Sequence, residues 1–279
     1  VFVMMTSSRR SELEGLCRRF RRDVLQSIHD ARSGHPGGSL SVCEILSVIY
    51  LDQAVLYPQD PNREDQDRVV LCKGHAAPML YRVLAERGYF PLETMSTLRQ
   101  ADSLLQGHPS LHTPGVDMPS GPLGIGLAAA QGIALGMQLK GLDNYVYAIL
   151  GDGEIDEGTV WETAMSAPKF QLNHLIAVID RNHVQLDGTV NEIMPSDPLA
   201  EKWAAFGWNV ISCDGHDVSA LDAAFTLAKA EHGCPTVIIA DTVKGKGVSF
   251  MEGKNTWHGQ LIKDEDLAAA LAELRGEPA

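Results

Sequence analysis

No stretch of the 279-residue chain is apolar for long enough to cross a bilayer, since a spanning helix needs about 20 such residues. Val1 to Ser8 places a short apolar stretch before its arginines, the reverse of a secretory signal. Five cysteines, Cys17, Cys43, Cys72, Cys213 and Cys234, stand far apart with no C-x-x-C spacing among them. An odd, scattered set of this kind suits neither a disulfide framework nor a zinc knuckle, so buried free thiols are expected. Positive charge is scarce too: 23 Lys and Arg face 36 Asp and Glu, a net charge of −13. That balance repels nucleic acid and anionic lipid, so neither a nucleic-acid nor a membrane partner is expected. An anionic ligand such as a sugar phosphate would need a local site. A cytoplasmic chain is expected, and the lack of repeats, low-complexity tracts or composition breaks points to one domain over residues 1–279.

What is present is an alternation of helical and strand patterns. Leu13, Leu16, Phe20, Val24 and Ile28 recur at helical spacing across Ser11 to Ala31. Ser41 followed by Glu44 predicts a capping box opening a second helix through Tyr50. Arg68 to Leu71, Tyr145 to Leu150, Leu175 to Ile179 and Thr236 to Ala240 are short, nearly continuous apolar runs, with Trp208 to Cys213 a further strand. Such runs fit strands covered on both faces. Leu127 to Leu139, Gly158 to Ala167, Ala220 to Ala230 and Asp264 to Leu274 read as helices. The fold class is therefore α/β, a parallel β-sheet sandwiched by helices.

Ligands of such sheets sit beyond the carboxyl ends of strands. Gly151-Asp152-Gly153-Glu154 follows one predicted strand and Asn182 follows the next. Taken alone, the glycine-flanked aspartate is equally a plain turn. A strand, turn, helix, strand and asparagine in succession would bring Asp152 and Asn182 to one rim, where a hard cation wants oxygen donors. Glycines at 151 and 153 would let backbone approach an anion, and a helix starting near Glu157 would point its positive end at it. Gly121-Pro122-Leu123-Gly124-Ile125-Gly126 opens the alanine-rich helix, either as close packing or as a second anion contact.

The G-D-G…N pattern resembles the thiamine diphosphate motif, and further landmarks resemble the transketolase family. They are S-G-H-P-G at residues 33–37, D-R-V-V-L-C-K-G-H-A at 67–76, G-H-P at 107–109, G-P-L-G-I-G at 121–126, G-D-G-E-I-D-E-G at 151–158 and a late H-G at 258–259. The resemblance runs from about Arg10 to Gln260, in family order. It implies the diphosphate-binding (PP-type) module of a thiamine diphosphate-binding fold, with thiamine diphosphate and Mg²⁺, or Ca²⁺ or Mn²⁺, as cofactors. Asp152, Asn182 and the Val184 carbonyl would hold the metal. His75, Gly121, Leu123, Gly153, Glu154, Asn182 and His258 would contact the cofactor. His35, His75, His108 and His258 would serve the reacting sugar as catalytic histidines, and Glu157 and Glu162 would lie towards a subunit interface as a proton relay. For Glu157, a first-turn carboxylate favoured by the helix dipole is the bland alternative. Thr-Val-Lys-Gly-Lys-Gly after Asp241 is more basic than in many full-length members. Lys244 and Lys246 there are either phosphate contacts or solvated charges, and Lys244 is the one expected at a ligand phosphate or the edge of the cofactor.

The implied reaction is reversible transfer of a two-carbon ketol unit from a ketose to an aldose. Full-length transketolases continue with a pyrimidine-binding module and a further domain, which supply the glutamate that activates the cofactor and most phosphate-gripping arginines. This chain is therefore expected to be the N-terminal subunit of a split transketolase, working as an α2β2 heterotetramer with a C-terminal subunit. There are two alternatives. One is membership of another thiamine-dependent carboligase, such as a deoxyxylulose phosphate synthase-like enzyme; the other is a non-catalytic assembly or regulatory role. The sugar is not legible.

Overall fold

The computed structural model describes residues 5–276. Helix α1 (Ser7–Asp30) starts ahead of the expected Ser11 because the Thr6 hydroxyl accepts the Arg9 N–H. Its buried face carries Leu13, Leu16, Phe20, Val24 and Ile28, as the spacing predicts. The next segment departs from expectation. It forms two short helices, α2 (Pro36–Ser41) and α3 (Cys43–Val48), and Ser41 and Glu44 make no capping box. The Ser41 hydroxyl donates instead to the Gly38 carbonyl and to Asp180. Glu44 is buried against Arg21, with hydrogen bonds of 2.5 and 2.7 Å, and meets His216 Nδ1 at 2.9 Å. A carboxylate withdrawn from water gains more from a guanidinium charge than from a helix-end amide.

Strands β1 (Arg68–Leu71), β2 (Val146–Gly151), β3 (Leu175–Arg181), β4 (Asn209–Asp214) and β5 (Thr236–Asp241) form a parallel five-stranded sheet in the order β1-β2-β3-β5-β4. β1, β2, β3 and β5 are buried along nearly their whole length, whereas β4 lies at an edge and is only partly covered. Helices α4 (Ala77–Arg87) and α5 (Ile125–Leu139) lie between β1 and β2, and α6 (Gly158–Lys169) joins β2 to β3. Helices α7 (Val190–Ile193) and α8 (Leu199–Ala205) lead to β4, α9 (Val218–Lys229) returns to β5, and α10 (Asp264–Arg275) follows. The last begins where the Asp266 carboxylate accepts the Lys263 N–H and ends at Gly276.

Each sheet face has its own core. One gathers Leu127, Ala164, Leu199 and Trp203 from α5, α6 and α8. The other gathers Phe20, Leu46, Val83, Phe225 and Leu274 from α1, α3, α4, α9 and α10. The reversed step from β4 back to β5 explains why α9 lies opposite α8. Right-handed crossovers running in opposite directions must use opposite faces. Cys17, Cys43 and Cys72 are buried as expected, but Cys213 and Cys234 are partly exposed, because the edge strand and the loop before β5 are only half covered; all five are free. Among the described residues, no helix is long and apolar enough to cross a membrane.

The chain leaves β1 towards α4 on one face and β2 towards α6 on the other, so the loops part between these strands. They part again between β3 and β5, since the segment after β5 packs Val248, Met251 and Trp257 into the α1 face. These partings at the carboxyl edge are the crevices a doubly covered sheet offers a ligand.

Arg21 and Glu44 hold this frame to α1. Burial alone would raise the Glu44 carboxyl, but the Arg21 charge and the His216 contact outweigh it and hold it down at about 2. Glu44→Ala strands a buried guanidinium and is expected to cost about 3–5 kcal/mol, with a double Arg21→Met, Glu44→Leu variant recovering much of it. Chemical denaturation of the three proteins measures this. The pair's contribution is full above the unfolded carboxyl value of about 4.3. It is lost as pH falls through the folded value of about 2.

Candidate active site

Parallel register brings the predicted polar residues together. Gly151 pairs with Asp180 and Arg181 with Asp241, so Asp152, Asn182 and Thr242 follow at the same edge of the sheet. Asp152, Asn182 and Val184 line one cavity of about 430 Å³. Asp152 is 2% exposed and accepts the Gly153 N–H at 2.9 Å and the His183 N–H at 2.5 Å. Burial, then the nearby Asp180 charge, raise its carboxyl to about 6. A buried carboxylate pushed up in this way is short of positive charge. The neighbouring donors are an amide oxygen and a backbone carbonyl, with no thiol among them, so the site fits a hard divalent cation.

Glu154 has a different task from the other acids. Its carboxylate accepts the Gly124 N–H at 3.0 Å and the Gly151 N–H at 3.2 Å, clamping the two glycine turns together. Burial pushes it up to about 7. Any ligand contact would therefore fall to its backbone. Gly124, at φ 84°, has no room for a side chain, since a Cβ would lie 2.5 Å from Glu157 Cβ. Gly121 lies against His108, and Leu123 is 39% exposed beside it. The Ser120 hydroxyl just before this turn is buried without a hydrogen-bond partner.

The four histidines converge. Ring centroids of His75 and His258 lie 5.0 Å apart, His35 and His258 5.3 Å, His35 and His75 5.5 Å, and His35 and His108 6.2 Å. Burial lowers all four: His35 to about 4, with Arg99 and His108 adding to the effect, and His258 to about 3, with Lys244 adding. His75 and His108 fall in the same direction for the same first cause. The rings are thus neutral near pH 7, each offering one N–H and one lone pair. His35 Nδ1 is buried with no partner.

Lys244 is not a solvated charge. It is 2% exposed, donates to the Val184 and Gln185 carbonyls at 3.2 and 3.0 Å, and lies 3.0 Å from His258 Nδ1. Burial, then Lys73, lower it to about 8. Lys246 is 38% exposed at the side chain and lies 3.6 Å from Glu252. Glu157 and Glu162 remain on the exposed surface, the first as the α6 N-cap residue without a side-chain cap bond.

Three further residues shape the site without having stood out in the sequence. Asp180, fully buried, pairs with Lys73 and accepts from Ser41 at 2.6 Å and from Thr242. A lone acid ending an apolar strand was its only signal. Arg99 carries no ion pair among the described residues, and its guanidinium packs over Gly107, where a Cβ would sit 2.6 Å from Nη2. Lys73 was visible only as part of K-G-H-A.

Comparison with known proteins agrees with this geometry. Residues 15–279 match the family described as the transketolase, thiamine diphosphate binding domain. The chain is 44% identical over 274 residues to the 6-deoxy-6-sulfo-D-fructose transketolase subunit SqwG of Clostridium sp. (strain MSTE9), covering 98% of this chain and 100% of that one. It is 35% identical over 254 residues to an apulose-4-phosphate transketolase subunit of Phocaeicola vulgatus, covering 91% and 90%. The transketolase of Campylobacter jejuni superposes with a TM-score of 0.90 at 30% identity, over 96% of this chain and 43% of that one. The protein is thus of the thiamine diphosphate-dependent transferase class, and it belongs to the transketolase family as its N-terminal, cofactor-binding part. It spans essentially the whole of the subunit relatives and about two fifths of the longer enzyme.

The depressed histidines tie stability to pH. His35 takes up a proton near 6.5 when unfolded but only at about 4 when folded. Its contribution is full above 6.5 and is lost as pH falls towards 4. His35→Gln should therefore flatten the fall in melting temperature across that window, as thermal unfolding against pH would record.

Proposed function

We propose that this chain is the diphosphate-side subunit of a two-component transketolase, moving a two-carbon ketol unit from a ketose to an aldose. The observation that carries this reading is the cluster of four neutral histidines at the rim of a buried oxygen-donor site. Asp152, Asn182 and the Val184 carbonyl would hold the divalent cation, and the cation would hold the diphosphate. Gly121, Leu123, Gly153 and the backbone at Glu154 would border the cofactor, and His75, Lys244 and His258 would also contact it. When bound, thiamine diphosphate supplies the carbon nucleophile that breaks and remakes the ketose C–C bond.

The chain's own residues handle protons and geometry. His35 Nδ1, His75, His108 and His258 would accept or return protons at sugar hydroxyls, work suited to rings that stay neutral near pH 7. Lys244 would add positive charge beside the diphosphate. The two shorter relatives act, by their names, on a sulfonated and a phosphorylated sugar, so a sugar with an anionic end is the substrate class proposed here. A C-terminal subunit carrying the pyrimidine-binding module would complete the site, in an α2β2 assembly with Glu157 and Glu162 towards the contact.

Reconstitution tests this. The chain alone should transfer no ketol unit, and addition of a C-terminal transketolase subunit should restore transfer from ketose donors but not from pyruvate. Asp152→Asn should lower the restored rate at least about a hundredfold by weakening the cation site. Full turnover by the isolated chain, pyruvate as the preferred donor, or an active Asp152→Asn complex would each refute the reading. Lys244→Met should weaken thiamine diphosphate binding in isothermal titration of the complex while leaving the far-UV circular dichroism unchanged.

A further inference from the structure

His183 stands between Asn182 and Val184 and offers the cation site no oxygen of its own side chain. Its backbone is left-handed, at φ 63°, a conformation that costs a non-glycine residue roughly 1 kcal/mol. Arg32 and Gln171 share that conformation where they close α1 and α6, but His183 closes no helix. Its polar groups reach three different segments. The N–H donates to Asp152 Oδ2 at 2.5 Å, beyond β2. The carbonyl accepts the Val190 N–H at 2.9 Å, at the start of α7. Ring Nε2 meets Asp241 Oδ1 at 2.5 Å, at the end of β5. The ring itself is half exposed, so packing does not hold the residue there.

We propose that His183 is a positioning residue for the cation site, and that Asp241 is its anchor. An extended residue at 183 would carry the chain straight on from β3. The left-handed turn folds it back, keeping the Asn182 amide and the Val184 carbonyl on the rim that Asp152 faces. The same turn aims the 183 N–H at Asp152, orienting the third donor. Strained backbone of this sort persists only where its surroundings hold it, and the Asp241 tether across β3 and β5 supplies that hold. His183 thus links three oxygen donors without being one of them, in the way outer partners commonly orient metal ligands.

This inference rests on the cation site of the proposed function, and the test separates the two. The complex reconstituted with thiamine diphosphate and a C-terminal subunit is titrated with Mn²⁺, following the free-ion electron paramagnetic resonance signal. Wild type should bind Mn²⁺ and Asp152→Asn should not; no binding by wild type would overturn the cation site itself. On that baseline, His183→Ala and Asp241→Ala should each weaken Mn²⁺ affinity about tenfold. His183→Gly should recover part of the loss, because glycine enters the left-handed region freely. Melting temperatures of the cation-free proteins should differ little, which a merely structural role would not produce. Wild-type Mn²⁺ affinity in His183→Ala and Asp241→Ala, or weaker binding in His183→Gly than in His183→Ala, would overturn the proposal.

Discussion

Asp180 is a carboxylate with no solvent exposure at the end of a central strand, and four segments of the chain meet on it. Lys73 reaches it from the loop after β1, Ser41 from the end of α2 and Thr242 from the loop after β5, while Asp180 itself precedes Asn182. Each of those segments carries a site residue two to six positions away: His75, His35, Lys244 and Asn182. A buried charge tolerates little displacement of its partners, because losing one leaves the other uncompensated in a low dielectric. The arrangement of the candidate site follows from that constraint.

Burial, and then the charges held with it, set the protonation states around the site. Burial lowers all four histidines first; Lys244 adds to this at His35, His75 and His258, Lys73 at His75 and His258, and Arg99 at His35 and His108. On the other side, Asp152 and Glu154 are pushed up because burial is not matched by nearby cations. One rim therefore favours neutral imidazoles and the other seeks a cation, within a chain whose net charge is −13. The local sign of the field, not the net charge, is what suits this surface to an anionic cofactor held through a metal.

Much of this was readable in the residues. Continuous apolar runs before Gly151 and Asn182 announced buried parallel strands, and polar groups at their ends announced the crevice. The family landmarks then singled out histidines far apart in sequence. Other features were hidden because their signals are ambiguous. Ser41 and Glu44 have the spacing of a capping box, but spacing does not reveal that Arg21 and Asp180 compete for the same side chains. Lys244 and Lys246 share one basic loop, and the burial of Lys244 beside His258 is what gives its expected ligand contact a physical basis. The left-handed backbone of His183 has only a faint sequence signal, since histidine enters that region more often than most side chains but adopts it at few of its positions.

Local sequence determined the periodicities, the strand ends and the chemical types of the site residues, because these depend on neighbours along the chain. Tertiary structure decided which of them meet. Strand order and parallel register place Asp152, Asn182 and Thr242 on one edge. The parting of loops to opposite faces opens the space between them. Burial then decides which charges must find partners, and that is a property of the packed molecule, because the dielectric around a side chain is set by everything that surrounds it.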